Sequence, residues 1–174
     1  MTDGDAPRPA TPALATGAVG IVYDRTVLGA ALNDLRARDY RIAAFDCRRW
    51  SNPLEAGQEL GSALGMPESL PRTIPVVGSY VQELARSDEP FGDLRLRMAV
   101  VLGVFDDFLG RHRADALVLL DELAQASRMA LLFHHRILVL VQSDDPALDV
   151  VAVPTTVITD RQAFRSSLWT RGRR

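Results

Sequence analysis

Cys47 is the only cysteine of the 174-residue chain, and Arg48 and Arg49 follow it directly. Neighbouring guanidinium groups favour a thiolate and lower a thiol's pKa, which is the first requirement of a cysteine nucleophile. The second requirement is a base. His112, His134 and His135 all lie far along the chain, so only proximity in space would supply one. Cys47 is therefore read as structural, with a cysteine–histidine pair as the alternative. His134 and His135 are adjacent; on a strand they would point to opposite faces and could not chelate one metal together. The acidic pairs Asp106-Asp107, Asp121-Glu122 and Asp144-Asp145 have the oxygen ligands that Mg²⁺ prefers. Two of them fall at turn or cap positions, where aspartate serves the backbone, and all three are read as solvated caps and faces.

Other chemistries fail on residue type. Lysine is absent and all 20 basic side chains are arginine. That removes a Walker A loop, Schiff-base chemistry and a lysine base. The glycine-rich turn of a dinucleotide site is missing: Asp24-Arg25-Thr26 and Asp46-Cys47-Arg48 occupy the strand-to-helix turns. Gly61-Ser62-Ala63-Leu64-Gly65 has the wrong spacing for a serine nucleophile elbow and lies in a helical pattern. The expectation is a protein that is not an enzyme, with no catalytic residue, metal or cofactor.

The elements that would position these residues follow from periodicity and caps. Hydrophobic residues make up 47% of the chain and charged residues 24%, the proportions of a globular domain. Residues 1–17 hold Pro7, Pro9 and Pro12 and no aromatic residue, and read as a flexible tail. A strand over 19–23 precedes a helix capped by Thr26, with Leu28, Ala31, Leu32 and Leu35 inward. A second strand covers 40–45. The next helix has Asn52 as cap, Pro53 in the first position and Glu55 where a capping box places it, with Leu54, Leu60, Gly61 and Leu64 inward and an end at Gly65. Thr73 would cap a helix with Ile74, Val77, Val81 and Leu84 inward. A buried strand over 97–105, a short helical turn over 106–109 and a long helix over 115–133 come next, the last with Ala116, Leu119, Leu120, Leu123, Ala126 and Ala130 inward. A strand over 136–142 and an edge strand over 150–153 and 156–158, broken by Pro154, complete the order. Such alternation predicts an α/β fold, a small, mostly parallel sheet covered by helices, in one domain over 18–170 with a basic tail at 171–174.

Net charge is −2, so no pull towards nucleic acid or an anionic membrane is expected. The start lacks the basic and apolar regions of a secretory signal, no run reaches the roughly 20 apolar residues of a membrane span, and a lone cysteine suits a reducing compartment. The expected location is the cytoplasm.

Several segments carry a likeness: Arg41-Ile42-Ala43-Ala44-Phe45-Asp46, the helix from Asn52 to Leu64 with Gly65-Met66-Pro67-Glu68 after it, Leu119-Leu120-Asp121-Glu122-Leu123-Ala124, and the run from Arg136 to Pro146. Together they resemble the barstar family of small intracellular ribonuclease inhibitors, over about residues 40–145. Longer bacterial barstar-like proteins share the added N-terminal strand and helix and the C-terminal extension. The resemblance implies a protein-binding module, a ribonuclease inhibitor or a toxin immunity protein. The family's binding segment corresponds to Pro67 through Ser79. Proline, acid and spacing match, but the two tyrosines are replaced by Ser69 and Leu70, and the two inhibitory aspartates fall on Pro75 and Ser79. Removing one partner from a buried, hydrogen-bonded charge pair costs about 2–5 kcal/mol, so inhibition of a barnase-like enzyme does not follow. The partner-binding residues are placed at Glu68, Ser69, Arg72, Thr73, Val76, Ser79, Tyr80 and Glu83, with Val76 and Tyr80 forming an apolar patch if exposed and packing inward if not. The alternative is a non-inhibitory structural or regulatory subunit that self-associates through the helix over 74–86.

Overall fold

The computed structural model describes residues 19–87, 96–146, 148 and 155–168. In chain order the elements are β1 (Val19–Val22), α1 (Arg25–Arg36), β2 (Arg41–Asp46), a 3-10 turn (Cys47–Arg49), α2 (Pro53–Ala63), α3 (Ile74–Arg86), β3 (Arg97–Gly103), α4 (Phe105–Arg111), α5 (Arg113–Leu132), β4 (Arg136–Gln142), β5 (Thr155–Val157) and α6 (Arg161–Leu168). The fold is α/β. Among the described residues the five strands form one sheet in the order β2-β3-β4-β1-β5, and every pairing is parallel. The expected tails at 1–17 and 171–174, and the 150–154 part of the edge strand, lie outside the described residues.

Alternation along the strands explains why helices cover both faces. Ala43, Val100, Val139 and Val19 fall in one row across four strands, and Phe45, Leu102, Val141 and Ile21 in another. Both rows join the core under α2, α3, α4 and α5. The intervening residues Ala99, Val101, Leu138, Leu140 and Val22 face the other way, onto Ala31 and Leu35 of α1 and Phe164 of α6. Each fully buried Val, Leu or Phe contributes about 1.5–3 kcal/mol relative to exposure, so neither face is dispensable.

Three local expectations are corrected. The cap of α1 is Asp24, whose Oδ1 accepts from the Thr26 N–H at 2.6 Å. Aspartate two residues ahead satisfies the helix donor, and Thr26 falls within the first turn. Leu28 and Leu32 are only half-buried, packed against the rim of the α1 core. A C-terminal helix, α6, was not anticipated; its Phe164 is fully buried. Two arginines of α6, Arg161 and Arg165, clasp Asp34 of α1 at 2.6 and 2.8 Å.

Candidate functional site

The start of α2 is built as its sequence dictates. Asn52 Oδ1 accepts from the Glu55 N–H at 3.0 Å, and Pro53 opens the helix where a missing N–H costs nothing. The Glu55 carboxylate accepts from Ser51 N–H at 2.8 Å, one residue earlier than a capping box places it. At the other end Met66 N–H reaches Gly61 O at 2.9 Å and Gly65 N–H reaches Ser62 O at 3.2 Å. This pairing requires a left-handed residue, and Gly65 has φ +76°.

The inner face of α2 is Ala56, Gly57, Leu60 and Gly61. Leu54, expected inward, instead points outward and is 54% exposed. It shares the outer face with Gln58 and Ser62, at spacings of four residues. Two positions of this face are glycine because the loop after α2 runs directly across them. A Cβ added at Gly57 would lie 2.2 Å from the Arg72 carbonyl oxygen, and one at Gly61 would lie 3.0 Å from Arg72 Cγ. Arg72 is thereby laid along the helix: its guanidinium donates to Ser62 Oγ at 2.7 Å and to the Met66 carbonyl at 3.2 Å. Met66, nearly fully buried, pins the beginning of the same loop.

The result is an open groove of about 470 Å³ lined by Leu54, Gln58, Ser62, Glu68 and Arg72. Glu68 and Arg72 belong to the expected binding set; Leu54, Gln58 and Ser62 were missed. The signal for them was present, in the four-residue spacing of a row beside the one that carries Gly57 and Gly61. Ser69 and Leu70 extend into solvent on the loop, Leu70 with 41% exposure.

The rest of the expected set lies on α3 and is less available. Thr73 stands at the N-cap but makes no side-chain hydrogen bond to the helix, contrary to its expected role. Val76 and Tyr80 are half-buried and pack against the main core with Leu84. Their apolar patch is therefore largely spent inside the molecule, against the core itself. Tyr80 also donates its hydroxyl to Gly65 O at 3.2 Å, tying α3 to the end of α2. Ser79 is exposed and donates to Pro75 O at 3.0 Å, and exposed Glu83 pairs with Arg86 at 3.4 Å.

No protein-family profile, characterised protein or solved structure matches the chain.

Among the described residues no histidine hydrogen-bonds to the Cys47 thiol: His112 lies beside the same segment, but its Nε2 is 3.0 Å from the Ser51 carbonyl oxygen. Cys47 is fully buried, and burial pushes its thiol well above the ordinary range, with the Asp46 and Glu59 charges adding to the effect. The expected help from Arg48 goes elsewhere: its guanidinium grips Asp46 at 2.9 and 2.7 Å. Neither His134 nor His135 is on a strand. His134 closes α5 with φ +60°, and His135 is buried just before β4. The Nδ1 of His135 accepts from Leu96 N–H at 3.0 Å, which leaves Nε2–H to donate to Ser87 O at 3.2 Å. Asp106 Oδ1 accepts from Asp144 N–H at 3.1 Å, and Arg25 pairs with Asp144 at 2.6 Å, holding its carboxyl below the usual range. Asp121 and Glu122 accept from Gln125 and Gln82, both at 2.7 Å. Among the described residues no three His, Cys, Asp or Glu side chains are placed to hold a metal ion, and no helix is long and apolar enough to cross a membrane.

Proposed function

We propose that the chain is a barstar-like protein-binding module of the cytoplasm. It would engage a partner protein through the outer face of α2, the loop over 66–73 and the exposed start of α3. The carrying observation is the groove beside Leu54. An isolated exposed leucine is ordinary, but here Leu54 lines a concavity, and the exposed Leu70 sits between two other lining residues, Glu68 and Arg72. The run β2-α2-α3-β3-α4-α5-β4 supports the barstar-like reading, because it follows the segments that carry the resemblance in the same order. Recognition by apolar contact fits this surface better than recognition by carboxylates, since exposed Pro75 and Ser79 stand where the family presents aspartates. A barnase-type ribonuclease is therefore a poor fit, whereas another toxin or a regulatory partner is compatible. The thiol of Cys47, buried and held neutral, also favours a binding role over a cysteine enzyme.

The test is affinity capture with the full chain and with Leu54→Asp as paired baits, circular dichroism confirming that both are folded. The expected result is a stoichiometric partner recovered by the first and lost by the second, together with no inhibition of a barnase-type ribonuclease at micromolar chain. If both baits recover the same proteins, or none, the surface is wrong. A stable dimer in light scattering, dispersed by Ser79→Arg on α3, would move self-association ahead.

A further inference from the structure

The groove contains a cation that has no charge partner among the described residues. Arg72 spends its two hydrogen bonds on neutral acceptors, a serine hydroxyl and a backbone carbonyl. Its Nε is buried and has no acceptor among the described residues. Glu68 lines the same groove without forming an ion pair with it. The adjoining end of α3 has no acidic residue in its first turn and no side-chain cap, so the positive end of that helix adds to the local potential rather than being neutralised. A guanidinium is a planar fork suited to gripping a carboxylate through two parallel N–H bonds, and here it is partly desolvated and held only by neutral acceptors.

We propose that Arg72 anchors a site for an acidic peptide: a partner protein's glutamate or aspartate, followed by an apolar residue that rests on Leu54. This deepens the binding reading above and rests on it. A carboxylate entering the groove gives Arg72 the charged acceptor it lacks, and rotation of the side chain brings Nε–H and an Nη–H into a two-pronged bond. Charge complementarity selects the occupant. Phosphorylated ligands carry about −1.5 to −2 charge and are gripped by clusters of arginines; this groove offers one arginine, with Glu68 also on its wall. A singly charged carboxylate beside an apolar group matches that balance. The polarity is the reverse of the resemblance, in which the module supplies carboxylates and the partner supplies the cations.

The experiment is an NMR titration of the ¹³C,¹⁵N-labelled full chain with N-acetyl-Glu-Leu-amide, up to about 20 mM, where even a millimolar site fills. The reporter is the Arg72 Nε–Hε resonance, assigned by its disappearance in Arg72→Lys. The expected result is a saturable shift of that resonance and of the Leu54 methyl groups, absent with N-acetyl-Gln-Leu-amide. Binding should weaken at least about tenfold in Arg72→Lys, which keeps the charge but not the fork. It should tighten about two- to fivefold in Glu68→Gln, which removes an exposed neighbouring like charge. No saturable shift, or equal shifts with the glutamine peptide, overturns the proposal. So does tighter binding of inorganic phosphate, which would make this a small-anion site. If the peptide fails while Leu54→Asp still loses a captured partner, the protein-binding reading stands and the acidic-peptide site falls.

Discussion

His134 takes a conformation that glycine usually occupies. With φ +60° it lets α5 close through His135 N–H to Ala130 O at 2.8 Å and His134 N–H to Leu131 O at 3.4 Å, the same two-bond closure that Gly65 provides for α2. A left-handed L-residue costs roughly 1–2 kcal/mol, and glycine returns about 0.4–1 kcal/mol of that through the freedom of the unfolded chain. Because His134 is exposed, nothing else is lost, and His134→Gly should raise stability by about 0.5–1 kcal/mol in a urea titration. The sequence marks Gly65 as an end but gives no such sign at His134, since there the conformation is imposed by the chain's return into β4. Cys47 shows the opposite limit of local reading. Two arginines follow it in the chain, yet burial decides its thiol, and Arg48 is occupied by Asp46. Labelling of Cys47 by an exposed-thiol reagent should accordingly be slower by more than about a thousandfold in the native protein than in denaturant, because it must await opening of the core.

At the scale of elements, α2 and the loop that crosses it form one unit. The helix-favouring change Gly→Ala is worth about 1 kcal/mol in an open helix, and Gly29 of α1, with nothing within 4 Å of an added Cβ, supplies that reference. At Gly57 the added methyl meets the Arg72 backbone, so the loop must move, at a typical overpacking cost of about 1–3 kcal/mol. Gly29→Ala should therefore raise the denaturant midpoint and Gly57→Ala lower it, and only the second should disturb the Arg72 side-chain resonance. The caps divide in the same manner. Asn52 and Pro53 act as their types and spacing dictate, while the Thr73 side chain makes no bond to its helix, and Pro75 removes one of the two N–H groups that a cap serves.

The whole molecule is closed by its last described helix. Arg161 and Arg165 of α6 each form a two-pronged bond to Asp34 of α1, a carboxylate left only 6% exposed. Hydrogen bonds from the two guanidinium groups hold its carboxyl far below the usual range. A depressed native pKa contributes stability above the unfolded-state value, and that contribution is lost as pH falls through the native one. On acidification below about pH 4 the wild-type chain should lose stability more steeply than Asp34→Asn, measured as the difference in urea midpoints. Equal slopes would mean that the clasp does not hold α6 in solution.

Periodicity and caps alone determined the α/β class, the strands over 136–142 and most of 97–105, and the inward face of α5. They did so because alternation in a strand and the 3.6-residue repeat of a helix are local consequences of burying one face or two. The long helix needed no tertiary information: Ala116, Leu119, Leu120, Leu123, Ala126 and Ala130 are all buried as their spacing requires. Only the tertiary structure decided that every described strand pair is parallel, that α6 covers the second face, and that Leu54 points outward while Val76 and Tyr80 point largely in. The groove is legible in sequence only by half. Glu68 and Arg72 sit on the loop that spacing from α2 singles out, but the wall they face exists because Gly57 admits the loop's backbone and Gly61 the Arg72 side chain. That close approach joins residues more than ten positions apart, and no local pattern encodes which surface a crossing loop will leave uncovered.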